Sequence, residues 1–455
     1  MSTNTHIAPE QLEADIRAGS IDSVVVAFSD HQGRLIGKRT DGEFYLDVVA
    51  VHGTENCDYL IACDLDDVPI PGFRWASYEQ GYGDMRGVVD PTTIRYLPWL
   101  ESTAIVLVDL VDVEDGTAVE VSPRRILGRQ VEAAGELGYT PMIGSEVEFF
   151  VFREPYDVAN ASGYRNLTPN SPWVEDYNIL QTTKEEDLIG RIRRGLRAAG
   201  LPVEFSKGEA GRGQHELNLT FQPALEMADI NLVFKNAVKE IAAQAGRSVT
   251  FMAKPHFDDA GNSCHIHSSL WTGSRSVMAG ENEHHMSDEF RWYLGGLVAT
   301  AREFSLLFAP NVNSYKRFQP GSWAPTAVAW ATDNRTLGFR VVGRGEGMRV
   351  ESRIPGADAN GYHAFAAMIA GGLHGIRQRI EPPAPYQGNG YTAADLPRIP
   401  STYVEAIELW ERSELARECF GDDVHHHVLH HAEFEWQAFN ASVTDWERHR
   451  YFERI

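Results

Sequence analysis

Two acids separated by one residue, Glu146 and Glu148, lie in the run Gly144-Ser145-Glu146-Val147-Glu148-Phe149-Phe150-Val151-Phe152. On a β-strand side chains alternate faces, so both carboxylates point one way, followed along that face by Phe150 and Phe152. Neighbouring carboxylates beside an apolar wall repel one another and lose hydration together unless a cation joins them. Hard divalent ions such as Mg²⁺ or Mn²⁺ suit such oxygen donors; the plain alternative is a solvated edge strand. Similar doublets recur. Glu209 and Glu216 bracket a glycine-rich loop, Gly208–Gly213 with Gln214 and His215, and Glu204 closes the strand before it. His265 and His267 stand at i, i+2, and Glu351 sits between Arg349 and Arg353. Singly, these are core histidines or cross-strand ion pairs. Together they offer clustered metal ligands beside arginines, the equipment of phosphoryl transfer, where cations bridge phosphates and guanidinium forks neutralise developing charge.

The elements that must hold these residues alternate along the chain. Residues 8–18 read as an amphipathic helix, Val24–Asp30 and Leu35–Lys38 as a hairpin, and 57–67 and 104–113 as further strands flanking a Gly/Pro/aromatic loop over 69–99. Residues 1–115 thus form a small α+β unit and 116–455 a larger one. Ser122-Pro123 opens a helix to about Leu137, with proline where its missing N–H is harmless. The strand 141–152 follows. Then come helix 184–199, strands 203–205, 216–221, 249–254 and 264–270, helix 287–308, strands 336–342 and 348–353, and helices 358–379 and 401–417. His425, His426, His427, His430 and His431 read as the solvated face of a surface helix rather than as a metal site.

Bulk properties narrow the class. A chain of 455 residues with 43% hydrophobic and 23% charged residues is a soluble globular protein of two or three domains. The net charge of −23 argues against a nucleic-acid partner. No apolar run approaches a membrane span and the first 20 residues do not resemble a signal peptide. The four cysteines, Cys57, Cys63, Cys264 and Cys419, lack zinc-site spacing and suit a reduced, cytoplasmic chain.

In order along the chain, Gly144–Phe150, Glu209–Glu216, Lys254-Pro255 with His265–Leu270, Asn313–Arg317, Asn334-Arg335, Arg349–Arg353 and the ending Glu435-Trp436 to Val443–Glu447 resemble the glutamine synthetase family. The resemblance covers most of residues 20–455. It implies an α+β fold with an N-terminal β-grasp domain and a catalytic domain whose antiparallel half-barrel is flanked by helices. It also implies a homo-oligomer, a dodecamer of two hexameric rings with active sites shared between subunits. By the same resemblance Glu148, Glu209 and Glu216 hold one divalent ion, Mg²⁺ or Mn²⁺, and Glu146, His265 and Glu351 a second. Arg317 binds the glutamate carboxylate, Arg335 and Arg353 the phosphate in transfer, and Glu204, His267, Ser269 and Arg340 line the ATP site. ATP would phosphorylate the γ-carboxylate of glutamate, and a nitrogen nucleophile would displace phosphate.

Departures from the family define the expected acceptor. The small domain lacks an Asp-Gly-Ser-Ser loop, having Pro69–Trp75 instead, and where the family reads Pro-Gly-x-Glu-Ala-Pro this chain reads Pro320-Gly321-Ser322-Trp323-Ala324-Pro325. Trp323 therefore replaces the acid that serves ammonium. An indole face holds an alkylammonium by cation–π contact and excludes water from an acyl phosphate. The glutamate loop is also altered, Asp258-Asp259-Ala260-Gly261-Asn262, leaving Gly261 and Asn262 to receive the substrate amino group. No tyrosine immediately precedes Asp395-Leu396-Pro397, so control by adenylylation is not expected. The expectation is a glutamate–amine ligase acting on a small organic amine, ethanolamine first and polyamines next, near an aromatic loop of Phe73, Trp75, Tyr78 and Tyr82. The competing readings are an ammonium-using glutamine synthetase and an inactive ring-forming scaffold.

Overall fold

Alternation of apolar and polar residues builds two sheets, and a computed structural model describes residues 6–455 of the chain. The first sheet holds β1 (Ser23–Ser29), β2 (Leu35–Asp41), β3 (Thr54–Cys57), β4 (Asp84–Val89), β5 (Arg95–Tyr96) and β6 (Thr103–Asp112). Its order is β2-β1-β6-β4-β3, with β5 also on β6 and β1 parallel to β6. The helix Pro9–Arg17 buries Leu12 and Ile16, its i, i+4 pair, in the core. The strand expected over 57–67 is instead a 3₁₀ turn, Asp58–Ile61, which follows β3. Asp58 accepts from the Gly83 amide at 3.0 Å and pins that turn to the segment entering β4. The presumed loop over 69–99 contains β4 and β5, whose alternation is obscured by Asp84 and Arg86 beside buried Met85.

The second sheet carries the acids. Its strands are β7 (Thr140–Phe152), β8 (Val203–Gly208), β9 (Gln214–Pro223), β10 (Ser248–Thr250), β11 (Cys264–Thr272), β12 (Arg275–Ser276), β13 (Trp330–Thr332), β14 (Phe339–Val342) and β15 (Arg349–Ser352). The order β13-β14-β15-β11-β7-β9-β8 is antiparallel throughout except for the parallel pair β13–β14. This wrapped, nearly closed half-barrel with helices packed behind it is the expected α+β catalytic architecture.

Helices back the sheet. Pro123–Glu136 is capped by Ser122, whose hydroxyl accepts from the Arg125 amide, with proline in its first turn. Asp288–Thr300 and Gly361–Gln378 cross where Gly296 faces Gly375; a Cβ on either would lie about 2 Å from the other helix's carbonyls, so only glycine fits. Three expected helices are broken. The one over 184–199 starts at Glu186 because Glu185 turns inward to His215, 2.5 Å away. The one over 287–308 divides into Asp288–Thr300 and Ser305–Phe308. The one over 401–417 divides at Ser413, an extended residue that caps the second piece, into Tyr403–Arg412 and Glu414–Phe420.

The histidines of the last long helix, Asp422–Ala441, are not a solvated face. His425, His427 and His431 are buried, and Phe73 of the aromatic loop packs on His427, His430 and His431. The helix packs on the Asp58–Ile61 turn and the loop after it, with His427 and His431 on Ile61 O and His430 on Pro71 O, and a pattern confined to one helix cannot register that second layer. Among the described residues no helix is long and apolar enough to cross a membrane.

Candidate active site

Register in the second sheet places the acids opposite one another. Glu148 on β7 pairs with Glu216 on β9, Glu146 pairs with His265 on β11, and Glu351 on β15 pairs with His267 on β11 and Arg340 on β14. Residues directly opposite on adjacent strands share a face, so five strands assemble one cluster from distant segments. Glu209 joins it from the loop between β8 and β9.

One group of ligand atoms comes from Glu148, Glu209 and Glu216, all within 4.8 Å of one another. Burial and the neighbouring Glu209 charge push Glu148 up to about 8. Burial and the charges of Glu146 and Glu148 push Glu216 up to about 10. Lys207, two residues before Glu209 on a strand, reaches into the group, hydrogen-bonded to Glu209 and 3.9 Å from Glu216. Its role escapes a reading focused on acids, although the K-x-E alternation carries the signal. Glu148 also accepts from the Ser263 amide at 2.7 Å and Gln214 at 3.2 Å, which fixes its carboxylate.

A second group contains His265, whose Nδ1 lies 3.2 Å from Glu146 and 3.8 Å from Glu351. His267 stands beside it: Arg349 Nε donates to Nδ1 at 3.1 Å, so the proton sits on Nε2, which donates to Glu146 at 3.0 Å. Both ring nitrogens of His267 are thus engaged. Burial opposes ionisation of Glu146, but hydrogen bonds from His265 and His267 hold it well below the carboxylate range. Glu351 is likewise buried, yet His265, Arg353 and other cations bring it down to about 2. A donor set of buried carboxylates and imidazole, with two acids forced towards protonation by mutual repulsion, fits hard divalent cations.

The arginines differ in placement. Arg353 Nη1 donates to Glu351 at 2.6 Å, and Arg340 donates to the other oxygen of Glu351 at 2.7 Å. Arg335 is exposed at the turn before β14, its side chain without a hydrogen bond or ion pair among the described residues. Arg317 is 1% exposed; its donors reach Ile354 O, Ser263 Oγ and Arg353 O, and its Nε is unpartnered. Gly261 packs against Arg317, where an added Cβ would lie 2.9 Å from its side chain. Asn262, expected at the substrate amino group, is wholly buried with its carboxamide committed to Thr250 O, Met252 O and Gln214. It braces the loop. Ser269 accepts from the Trp271 indole at 3.0 Å, while Glu204 is exposed within β8, which runs on to Gly208 rather than ending there. His267 and Arg340 meet the carboxylate cluster; Glu204 does not touch it.

Trp323 stands 60% exposed on the rim of a cavity of about 820 Å³, with Phe257, Asp258 and Asp259 also on its wall. The sequence places Asp258 and Asp259 only in the altered glutamate loop; the fold sets them on the same cavity wall as Trp323.

Comparison with known proteins agrees with this construction. Residues 120–451 match the family described as glutamine synthetase, catalytic domain. The chain is 51% identical over 447 residues to gamma-glutamylethanolamide synthetase GlnA4 of Streptomyces coelicolor, covering 98% of this chain and 96% of that one. It is 34% identical over 445 residues to glutamate–isopropylamine ligase of a Pseudomonas species, covering 97% of each. Its fold superimposes on the solved GmaS/ADP complex with a TM-score of 0.85 at 25% identity, covering 97% of this chain and 99% of that one.

Proposed function

The chain belongs to the glutamine synthetase family of carbon–nitrogen ligases, and from that membership we propose that it joins L-glutamate to a small organic primary amine, ethanolamine foremost. The observation that carries the choice of acceptor is Trp323, an indole in the place of the family's ammonium-serving glutamate, on the rim of a cavity that Asp258 and Asp259 also line. Carboxylates attract the protonated amine while indole packs its methylenes, a contact worth roughly 0.5–2 kcal/mol. The names of the two amine-ligase relatives support an organic acceptor.

Family members use ATP and divalent metal ions. In our reading Glu148, Glu209 and Glu216 hold one ion and Glu146, His265 and Glu351 the other, Mg²⁺ or Mn²⁺ in each. Bound there, the ions would supply positive charge against the phosphate oxygens. A γ-carboxylate oxygen of glutamate attacks the γ-phosphorus of ATP as the bond to ADP breaks, giving γ-glutamyl phosphate. The bound alkylammonium first gives one proton to a carboxylate or water; the freed lone pair then attacks the γ-carbonyl carbon, phosphate leaves, and the nitrogen loses its second proton to water or the departing phosphate. Arg353, held by Glu351, and Arg335, on the exposed turn before β14, neutralise charge on the phosphoryl group. Arg317 orients the glutamate carboxylate from beneath, with Gly261 allowing its close approach. Asn262 shapes the same loop. His267, Ser269, Arg340 and Glu204 face the nucleotide. We further assign a cytoplasmic homo-oligomer, a dodecamer with sites completed by neighbours.

Phosphate release from ATP and glutamate with Mg²⁺, with ammonium, ethanolamine, putrescine or spermine as acceptor, tests the reading. Ethanolamine is expected to support the fastest release. Release with ammonium alone contradicts it, and no release with any acceptor favours a scaffold.

A further inference from the structure

A second cavity, of about 920 Å³, is walled by segments of both sheets' surroundings. The β1–β2 turn contributes Gln32, Gly33 and Leu35, and the loop after Asp58–Ile61 contributes Leu65 and Ile70. The helix Ala224–Gln244 and the stretch Ser248–Met252 form the facing wall. None of the six expected metal ligands lines it. Its size is that of a small-molecule site, and much of its wall is apolar, with Phe152, Leu232, Val249, Phe251, Leu307 and Val428.

Two cations on that wall lack a counter-charge. Lys235 and Lys239 stand one turn apart on Ala224–Gln244, and each ammonium lies 5.8 Å from the centroid of the same ring, Phe251. Lys235 is buried and donates to Ala359 O at 2.8 Å, which leaves its remaining N–H groups uncommitted. Lys239 makes no hydrogen bond or ion pair among the described residues, only the contact with Phe251. A buried ammonium without a carboxylate is costly. Burial, with the Lys239 charge beside it, pulls Lys235 down to about 8.

The acids on the same wall are spoken for elsewhere. Asp358 Oδ2 accepts from Asn311 at 2.9 Å and Ser314 at 2.6 Å, and Asp64 Oδ1 accepts from the amides of Asp66 and Val68, each at 2.9 Å. Glu435 lines the cavity too, and among the described residues no ion pair joins it, Asp64 or Asp358 to either lysine. Arg34 is committed to Asp30 and Asp67. The convergent, unanswered charge is therefore positive. Ser248 Oγ and His363 Nε2 also belong to lining residues, both buried and without a hydrogen-bond partner, which is costly unless something binds them. Converging ammonium groups call for an anion, and an apolar wall calls for an apolar body behind it. We propose that this cavity binds a small organic carboxylate with an apolar body, its carboxylate on Lys235 and Lys239 and its body against Phe251, Leu232 and Leu307. A ligand held there touches segments from both sheets' surroundings, and one that binds only the folded chain stabilises it.

The probe is octanoate, titrated calorimetrically into the full, assembled chain with glutamate and Mg²⁺ at saturation, so that anion sites of the carboxylate cluster are already filled. Wild type is expected to bind one octanoate per chain. Octan-1-ol, the same body without the charge, is expected to bind about 10-fold or more weakly. Lys239→Gln should weaken octanoate by a similar factor and Lys239→Arg should retain it. Lys235 is buried and its variants risk misfolding; Lys239 is accessible, so the comparison rests on it. Octanoate should also raise the Tm of wild type and leave that of Lys239→Gln where it was. No binding to wild type, as when a second copy of the chain fills the cavity in the assembly, overturns the proposal. Equal affinity in wild type and Lys239→Gln, or for octanoate and octan-1-ol, equally overturns it.

Discussion

Arg353 Nη2 donates to the backbone carbonyl of Trp323 at 3.4 Å while its Nη1 holds Glu351 at 2.6 Å. One guanidinium therefore links the carboxylate cluster to the residue we propose as the selector of the acceptor. Trp323 has φ of +64°, a region that bulky L-residues rarely enter. Holding it there costs on the order of 1–3 kcal/mol, and such strain concentrates at functional sites.

Trp323→Glu is accordingly expected to lower kcat/KM for ethanolamine roughly 2- to 30-fold, the range a lost cation–π contact implies. It is also expected to raise ammonium-dependent turnover. Steady-state kinetics with each acceptor checks this, and an unchanged ratio between the two counts against Trp323 as the selecting residue.

Much of the candidate site is legible in the sequence, because alternation on strands is a local signal. Glu146-x-Glu148, His265-x-His267 and Arg349-x-Glu351-x-Arg353 each place side chains on one face whatever the register. Register itself was not legible, so the pairing of Glu148 with Glu216, and the insertion of Lys207 between Glu209 and Glu216, emerge only in three dimensions. The buried histidines were misread for the same reason. Their helix packs against the Asp58–Ile61 turn and Phe73 as well as its neighbouring helices, and one-dimensional periodicity records only a single face. Asp58 similarly turned an apolar run into a 3₁₀ segment by bonding Gly83, across a sequence gap that strand propensity does not sense.

The raised carboxyls make metal binding depend on pH. Glu148 at about 8 and Glu216 at about 10 bind protons more tightly folded than unfolded. Their contribution to metal-free stability is therefore full below the unfolded carboxylate range and declines as pH rises from there through about 8 and on towards 10. A divalent ion must displace those protons. Proton release on Mg²⁺ binding, measured in buffers of different ionisation enthalpy, is expected, and the Mg²⁺-induced rise in Tm should grow from pH 6 to pH 8. Glu216→Gln should raise the Tm of the metal-free protein while reducing turnover more than about 10²-fold, since several kcal/mol of charge stabilisation is lost. A Mg²⁺ effect independent of pH contradicts this account of the cluster.

Between the two sheets, Arg124 gathers Asp229 at 3.0 Å, Asp90 at 2.6 Å and Asp109 at 2.5 Å, and Tyr362 donates to Asp229 at 2.6 Å. Removing the Arg124 guanidinium leaves Asp229 buried without its bidentate partner. Arg124→Ala should lose about 3–5 kcal/mol of stability by chemical denaturation. Arg17→Ala, which breaks an exposed pair with Glu13, should leave the midpoint where it was. Equal responses of the two variants would show that the buried network contributes no more than a surface pair.

The measurement closest to the central claim is a competition. The protein is incubated with glutamate, ATP and Mg²⁺ in the presence of equal concentrations of ammonium and ethanolamine, and the products are identified by mass spectrometry. Predominance of γ-glutamylethanolamide over glutamine is the predicted result; predominance of glutamine would contradict the assignment of Trp323 and its cavity to an organic amine.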